Sequence, residues 1–332
     1  MILLTQENLK EYLTGKKLLN KKEKAEITLL QGGNVNTIFR IKTKTKEFVL
    51  KQILEEPHNK IFFLKAVKFD KNRILLEMKM MQTIHKILTD PHVPKLLFSD
   101  VENSIIIMTS VSSSAKLYQS ELFEGRFHFD QAYQLGEFNA KLHSATYLNK
   151  EVEALFQERI GLELRGYTII PAFGKFPTHK KKFEEAFEKA RKNKFCLVDA
   201  DITHKNILLH DNTFTKLDFE TVHYGDPALD VAIMFAHYLL PAFVYPQWKK
   251  EYLLAAALYW YGYQKNVTFT IPKAFFTNMK NYCALMMLGR IDSDVVFSWL
   301  SGHEDEVRAI ALGIFDADIT NINQLLSFVE KN

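Results

Sequence analysis

Two short stretches hold the residues whose types and spacing can do chemistry. In Asp201-Ile202-Thr203-His204-Lys205-Asn206-Ile207-Leu208-Leu209 an Asn follows an Asp by five positions, and a short hydrophobic strand comes next. Thr215-Lys216-Leu217-Asp218-Phe219-Glu220 is a second strand ending on another carboxylate. A turn at His210-Asp211-Asn212-Thr213 folds the two strands into a hairpin and sets Asn206 beside Asp218 at one end. Phosphoryl transfer from a nucleotide uses such a set: one Asp takes the acceptor hydroxyl's proton, while an Asn and a second Asp hold Mg2+ on the phosphates. Taken alone, the pattern equally fits a plain hairpin with Asp and Asn as turn residues. Lys205 is either a surface lysine on this loop or a cation that offsets charge on the transferring phosphoryl.

Further groups lie upstream in a matching order. Leu30-Gln31-Gly32-Gly33-Asn34-Val35-Asn36 is a glycine turn between strands, and Gly32, Gly33 and Asn34 are the candidate phosphate cover. Lys51 closes the strand Phe48-Val49-Leu50 and is the candidate ligand of the α- and β-phosphates. Glu77, on the helix that follows, is placed to pair with Lys51 and fix it. Met108, Thr109 and Ser110 end a later strand and offer backbone groups along an adenine. Each feature alone is commonplace; glycine turn, strand Lys, helix Glu, linker, Asp-x4-Asn and Asp together give the order of the protein kinases.

These residues need a scaffold that the rest of the chain can supply. Residues 1–20 read as a short amphipathic helix on Leu9, Tyr12 and Leu13, and residues 27–52 as three strands. Residues 73–89 carry a helical stripe of Ile74, Met78, Met81 and Ile84, and strands resume up to Met108. The small polar stretch 109–115 is the expected linker, dividing a sheet-rich lobe, 1–108, from a mostly helical lobe, 116–332. Helical stripes there include Leu135, Phe138 and Leu142; Phe183, Ala186, Phe187 and Ala190; and the apolar segments Trp248–Tyr263 and Phe275–Leu288, with Trp260 and Tyr261 expected in the core. His143 is expected to be structural, and the lysines around 180–194 a solvated helix face.

Composition sets outer bounds. Hydrophobic residues make up 47% of the 332 and charged residues 25%, which excludes a disordered or collagen-like chain. The net charge of +4 is too slight to be a nucleic-acid footprint, though it suits a small anionic ligand. Two distant cysteines, Cys196 and Cys283, give neither a disulfide framework nor a cysteine zinc site. The N-terminus lacks a signal-peptide core, and the longest clean apolar run, Leu253 to Tyr261, is too short to span a bilayer. A cytoplasmic protein with no membrane or nucleic-acid partner, monomeric or homodimeric, is expected.

Four segments resemble the aminoglycoside phosphotransferase / choline kinase family of small-molecule kinases. Residues 30–41 are similar to its nucleotide loop, and Leu135 to His143 to its helix after the lobe boundary. Leu197-Val198-Asp199-Ala200-Asp201 through Leu208 resembles its catalytic loop. Leu217-Asp218-Phe219-Glu220 with Tyr224 to Asp230 resembles its metal loop and the Asp that braces it. The resemblance spans residues 30 to 230. It implies an α+β, bilobal, protein kinase-like fold, with an N-lobe antiparallel sheet plus helix, a mostly helical C-lobe and the site in the cleft. It also implies ATP and Mg2+ as cofactors and a hydroxyl of a small polar metabolite as acceptor. Asp201 would be the base, Lys205 would assist, and Asn206 and Asp218 would hold the metal. Asp218-Phe219-Glu220 is similar to methylthioribose and choline kinases, where the Glu assists a second Mg2+; this makes Glu220 a candidate ligand. Arg73 with Glu77, and Leu122-Phe123-Glu124-Gly125, resemble methylthioribose kinases too, but that subfamily usually lacks the Asn that stands at position 206.

Asp199 departs from the pattern, because the family usually carries a His there that braces the metal loop. Ionised, Asp199 cannot donate a hydrogen bond, and it adds charge beside Asp201 and Asp218. Either it turns away, or the cluster needs Mg2+, or activity is impaired. The last outcome motivates an alternative: a kinase-fold protein that binds nucleotide or metabolite without transfer. A peptide acceptor is disfavoured by spacing, since only 11 residues separate Asp218 from Asp230 and no Ala-Pro-Glu follows.

Overall fold

The computed structural model describes residues 2–30, 36–54, 70, 72–158 and 160–332. They divide into two compact units, one of Met1–His85 with Val93–Ser113, the other of Lys86–His92 with Ser114–Asn332. In chain order the first part carries α1 (Leu9–Gly15), β1 (Glu26–Leu29), β2 (Thr37–Lys42), β3 (Glu47–Gln52), α2 (Arg73–Ile87), β4 (Leu96–Asp100) and β5 (Ile105–Thr109). The strands form one antiparallel sheet in the order β1-β2-β3-β5-β4. Alternation along each strand sorts the side chains between two faces. Phe39, Leu50 and Ile107 lie in register across β2, β3 and β5. With Ile41, Phe48 and Ile105 they pack against Leu9 and Leu13 of α1. The first helix is shorter than residues 1–20 suggested: it ends at Gly15, and Lys17 turns left-handed at φ 60°.

The second part carries β6 (Lys116–Leu117), α3 (Tyr118–Phe123), α4 (Phe129–Thr146), α5 (Lys150–Leu155), α6 (Ile160–Phe173), α7 (Lys180–Lys192) and β7 (Cys196–Val198). Then follow β8 (Ile207–His210), β9 (Thr213–Lys216), β10 (His223–Gly225), α8 (Pro227–Val244), α9 (Lys249–Asn266), α10 (Ala274–Asp292), α11 (Glu304–Asp316) and α12 (Ile322–Lys331). Two small sheets, β6-β8-β9 and β10-β7, sit among the helices.

Helix α8 is the hub of this unit. Its 18-residue window has a mean hydropathy of 1.5 and is 94% buried. By length and composition it could cross a bilayer; here it is a core helix with its neighbours wrapped around it. It is longer than the segment 253–261 that the sequence singled out, and was not a clean apolar run because Asp230 and His237 interrupt it while staying buried themselves. Helices α4 and α9 touch backbone to backbone. A methyl group on Gly136 would lie 1.9 Å from the Tyr259 carbonyl oxygen, and one on Gly262 2.1 Å from that of Tyr133. On α9, Tyr259, Trp260 and Tyr263 turn inward, but Tyr261 does not. Two residues from Tyr259 is about 200° around the helix, so Tyr261 is half exposed, edged by Tyr133 and Lys265. On α7 the lysines are exposed and Phe183, Ala186, Phe187 and Ala190 are buried, as an amphipathic helix requires. Cys196 and Cys283 are free and buried.

Candidate active site

In the first unit, the period of two that sends Leu50 into the core sends Lys51 to the other face of β3. There its Nζ donates to Glu77 Oε2 of α2 at 2.8 Å, with side chains only 5% and 2% exposed. A pair this enclosed fixes the ammonium group in place, which a phosphate ligand needs. Arg73, one turn before Glu77, anchors α2 by donating to the carbonyls of Leu54 and Asp70, each at 3.0 Å. The Thr109 N–H donates to the Lys95 carbonyl at 3.0 Å, and Ser110 donates its hydroxyl to Glu47 at 3.0 Å. Met108 is buried in β5. Gly32, Gly33 and Asn34 lie outside the described residues.

In the second unit, the hairpin forms as its turn residues dictate. Asp211 and Asn212 both have positive φ, 47° and 59°, which a two-residue hairpin turn of the right twist requires. Ile207 pairs with Lys216, and the next bond, from the Leu217 N–H to the Asn206 carbonyl at 2.8 Å, draws Asn206 level with the start of the Asp218 loop. Asn206 ends a 3-10 turn, His204–Asn206. Its Nδ2 donates to Asp201 Oδ2 at 2.7 Å and to the Asp201 carbonyl at 3.1 Å. With the nitrogen so engaged, the amide oxygen is the end left to face a cation. The ligand atoms of Asp218 and Glu220 lie within 4.8 Å of one another, close enough for one ion to reach both. Two carboxylates and an amide oxygen are the hard oxygen donors that Mg2+ prefers, so the residues present fit that ion.

Asp199 resolves in a way the sequence reading did not foresee. It turns to a cation of its own: Lys216 Nζ lies 2.9 Å from its Oδ2, with both side chains essentially unexposed. The same ammonium donates to the carbonyls of Leu217 at 2.6 Å and Asp218 at 2.9 Å. Lys216 thus supplies a donor to the Asp218 loop, and Asp199 is its counter-ion. Asp199 also organises the backbone. Its Oδ1 accepts the Asp201 N–H at 3.0 Å, and its carbonyl accepts the Thr221 hydroxyl at 2.8 Å. Burial raises the Asp199 carboxyl to about 7; Lys216 pulls it down, and Asp230 and Asp201 push it further up.

Asp230 ties this loop to the helices. It accepts the N–H groups of Asp199 at 2.9 Å and Ala200 at 2.7 Å, two successive donors aimed together because Ala200 is left-handed, φ 59°. His143 Nε2 lies 3.1 Å from Asp230, and its Nδ1 3.0 Å from the Tyr263 hydroxyl. With Nε2 donating to Asp230, Nδ1 accepts from Tyr263, which gives His143 a bracing role. Asp218 is also left-handed, φ 66°, an uncommon state for a residue with a side chain and typical of functional loops.

Asp201 sits among cations. Its Oδ1 pairs with Arg165 Nη2 of α6, and Lys205 Nζ is 3.5 Å from Oδ2. Burial alone would raise its carboxyl, but Arg165, Lys205, Lys216 and Arg290 outweigh that and hold it well below the usual carboxylate range. Sequence reasoning missed Arg165, Arg290 and the part played by Lys216. For Lys216 a signal existed: it shares a strand face with buried Phe214, where a lysine is out of place without a partner. Arg165 gave none, because Gly161, Gly166 and Pro171 disguise α6 as a loop.

Solved structures share this fold. Three of them are a choline/ethanolamine kinase family protein from Mesorhizobium loti, a spectinomycin phosphotransferase in complex with ADP and spectinomycin, and an amicoumacin kinase in complex with AMP-PNP and Ca2+. The first has a TM-score of 0.56 at 13% identity, over 99% of this chain and 100% of that one. The second has a TM-score of 0.53 at 13% identity, over 100% of both chains, and the third 0.57 at 15%, over 97% and 100%. No curated protein sequence matches the chain. The model of one family does, over residues 26–265, a span that holds the Lys51–Glu77 pair, the Asp201–Asn206 loop and the Asp218 loop: the chain belongs to the phosphotransferase enzyme family APH.

Proposed function

We propose that this chain transfers the terminal phosphoryl group of ATP to a hydroxyl of a small polar molecule, with Mg2+. The observation that carries this reading is the Asp201–Asn206 lock, 2.7 Å between Oδ2 and Nδ2, at the mouth of the hairpin that delivers Asp218 and Glu220. Asp201 takes the proton of the acceptor hydroxyl, and Lys205 offsets charge on the group in transfer. Asn206, Asp218 and Glu220 hold Mg2+, which when bound neutralises phosphate charge. Lys51, fixed by Glu77, holds the α- and β-phosphates; Gly32, Gly33 and Asn34 cover them, and Met108 to Ser110 line the base. Similar proteins solved with ADP or AMP-PNP support ATP as donor. Buried free thiols accord with the reducing cytoplasm as its compartment.

ADP release in the presence of a hydroxyl-compound panel tests the transfer, and calorimetry with ATP, with and without a chelator, tests the metal. Equal ATP affinity in both conditions would remove Asn206, Asp218 and Glu220 as ligands. A second reading, binding without transfer, is favoured by the Arg165 ion pair, which makes Asp201 a weak base. It predicts Lys51-dependent nucleotide binding with no ADP formed on any acceptor.

A further inference from the structure

Beside Asp201 the second unit buries more positive charge than it neutralises. Arg165 of α6 is 6% exposed; it pairs with Asp201 through Nη2, while its Nε is buried with no hydrogen bond. Arg290 of α10 is also 6% exposed. Its guanidinium lies 4.5 Å from the Phe297 ring centroid and makes no hydrogen bond or ion pair among the described residues. A glycine brings the two helices together: a methyl group on Gly289, next to Arg290, would lie 2.3 Å from the Thr168 carbonyl oxygen. Thr168 sits one turn beyond Arg165 and donates its hydroxyl to the Arg165 carbonyl at 2.8 Å. Counting Lys205, three cations stand against the single carboxylate of Asp201.

A buried guanidinium whose N–H groups are not all hydrogen-bonded is costly unless a ligand supplies the missing acceptors. We propose that Arg165 and Arg290 form a seat for an acidic group of the acceptor, so that the substrate is an anionic hydroxy compound, a small hydroxy acid or a sugar phosphate. This rests on the phosphotransferase reading above. Guanidinium groups match carboxylate and phosphate by paired N–H donors, whereas an acceptor bearing an ammonium group would meet like charge here. Burial, and then the Arg165 charge, draw Arg290 down to about 9, against the pull of Asp201, so a bound anion relieves Arg290.

The test is calorimetry and thermal shift on the full chain with gluconate, glycerate, glucose 6-phosphate and inorganic phosphate as anions, methylthioribose as a neutral sugar, and choline and spectinomycin as cations. Each is measured with and without AMP-PNP and Mg2+. At least one anionic hydroxy compound should bind at least tenfold more tightly than the neutral and cationic ones. Arg290→Gln should weaken that binding about 10- to 100-fold, the worth of a charge-assisted contact, and Arg290→Lys should retain part of it; AMP-PNP affinity should stay unchanged in both, with circular dichroism confirming the fold. No anion binding at millimolar concentration, tighter binding of choline or spectinomycin, or anion binding indifferent to Arg290→Gln would overturn the proposal. So would an Arg290→Gln variant that loses AMP-PNP instead, since the arginines would then serve the nucleotide's phosphates. The nucleotide-free measurement stands apart from phosphoryl transfer: anion binding without ADP formation would sink the enzyme reading alone, and ADP formation on a cationic acceptor would sink the anion seat alone.

Discussion

At the scale of single residues, most charges of the site are held by a named partner, and the partners predict how substitutions act. Asp201 is the proposed base, and such a group contributes about 10²–10⁴ in rate. Asp201→Asn should lower kcat by about that factor, with ATP affinity nearly unchanged. A full loss of ATP binding, read by calorimetry, would make Asp201 a metal ligand instead. Asp199 and Lys216 behave as one unit. Asp199→His, which restores the family's usual residue, leaves the buried Lys216 ammonium without its counter-ion. Breaking such a pair costs about 3–5 kcal/mol, so this variant should be markedly destabilised and less active, not improved. Asp199→Asn with Lys216→Met removes both charges and should recover much of that stability, because replacing both partners of a buried pair is far cheaper than orphaning one. Urea unfolding of the two single variants and the double variant measures the coupling; additive losses would mean that the 2.9 Å contact does not act as a pair.

At the scale of elements, much of what positions the site was legible in the chain, and the failures have physical causes. The hairpin was readable because two short apolar runs flank Asp-Asn, residues that tolerate the left-handed turn they adopt. The stripes of α4 and α7 were readable because those helices each show one face to solvent. Helix α8 was not, because nearly every side chain in it is buried and no stripe exists to find. Helix α6, which delivers Arg165, was hidden by its glycines and proline. No local pattern announced the α4–α9 contact either, since glycine in a helix reads as a weakness. An exposed helical Gly→Ala change is stabilising by about 0.5–1 kcal/mol. Gly136→Ala and Gly262→Ala should have the opposite sign and cost at least as much, because the new methyl meets a carbonyl oxygen of the facing helix. Thermal denaturation reads the sign directly, and a rise in Tm for either variant would mean that the helices part without cost.

At the scale of the whole molecule, buried titratable groups of opposite preference set the response to pH. His204 lies among the rings of Tyr118, Tyr238 and His237, and burial pushes its imidazole down to about 3. A histidine that prefers to be neutral in the fold contributes stability that is complete above about pH 6.5 and is lost as pH falls toward 3, by about 1.4 kcal/mol per pH unit. His237, lowered first by burial and then by Arg290, acts with the same sign. Asp199, raised to about 7, acts against them: its contribution is complete below its ordinary value near 3.8 and is lost as pH rises through 7, above which it is the charged counter-ion of Lys216. Between about pH 4.5 and 6.5 the two histidines outweigh the single carboxylate, so stability should fall on acidification. His204→Gln should flatten that slope by about 1.4 kcal/mol per pH unit, and Asp199→Asn should steepen it by a similar amount. The three tryptophans, Trp248, Trp260 and Trp299, all lie in the second unit with these groups, so tryptophan fluorescence, excited selectively in urea titrations, follows that unit. Identical slopes for wild type and both variants would show that neither group changes its protonation between the folded and unfolded chain in this window.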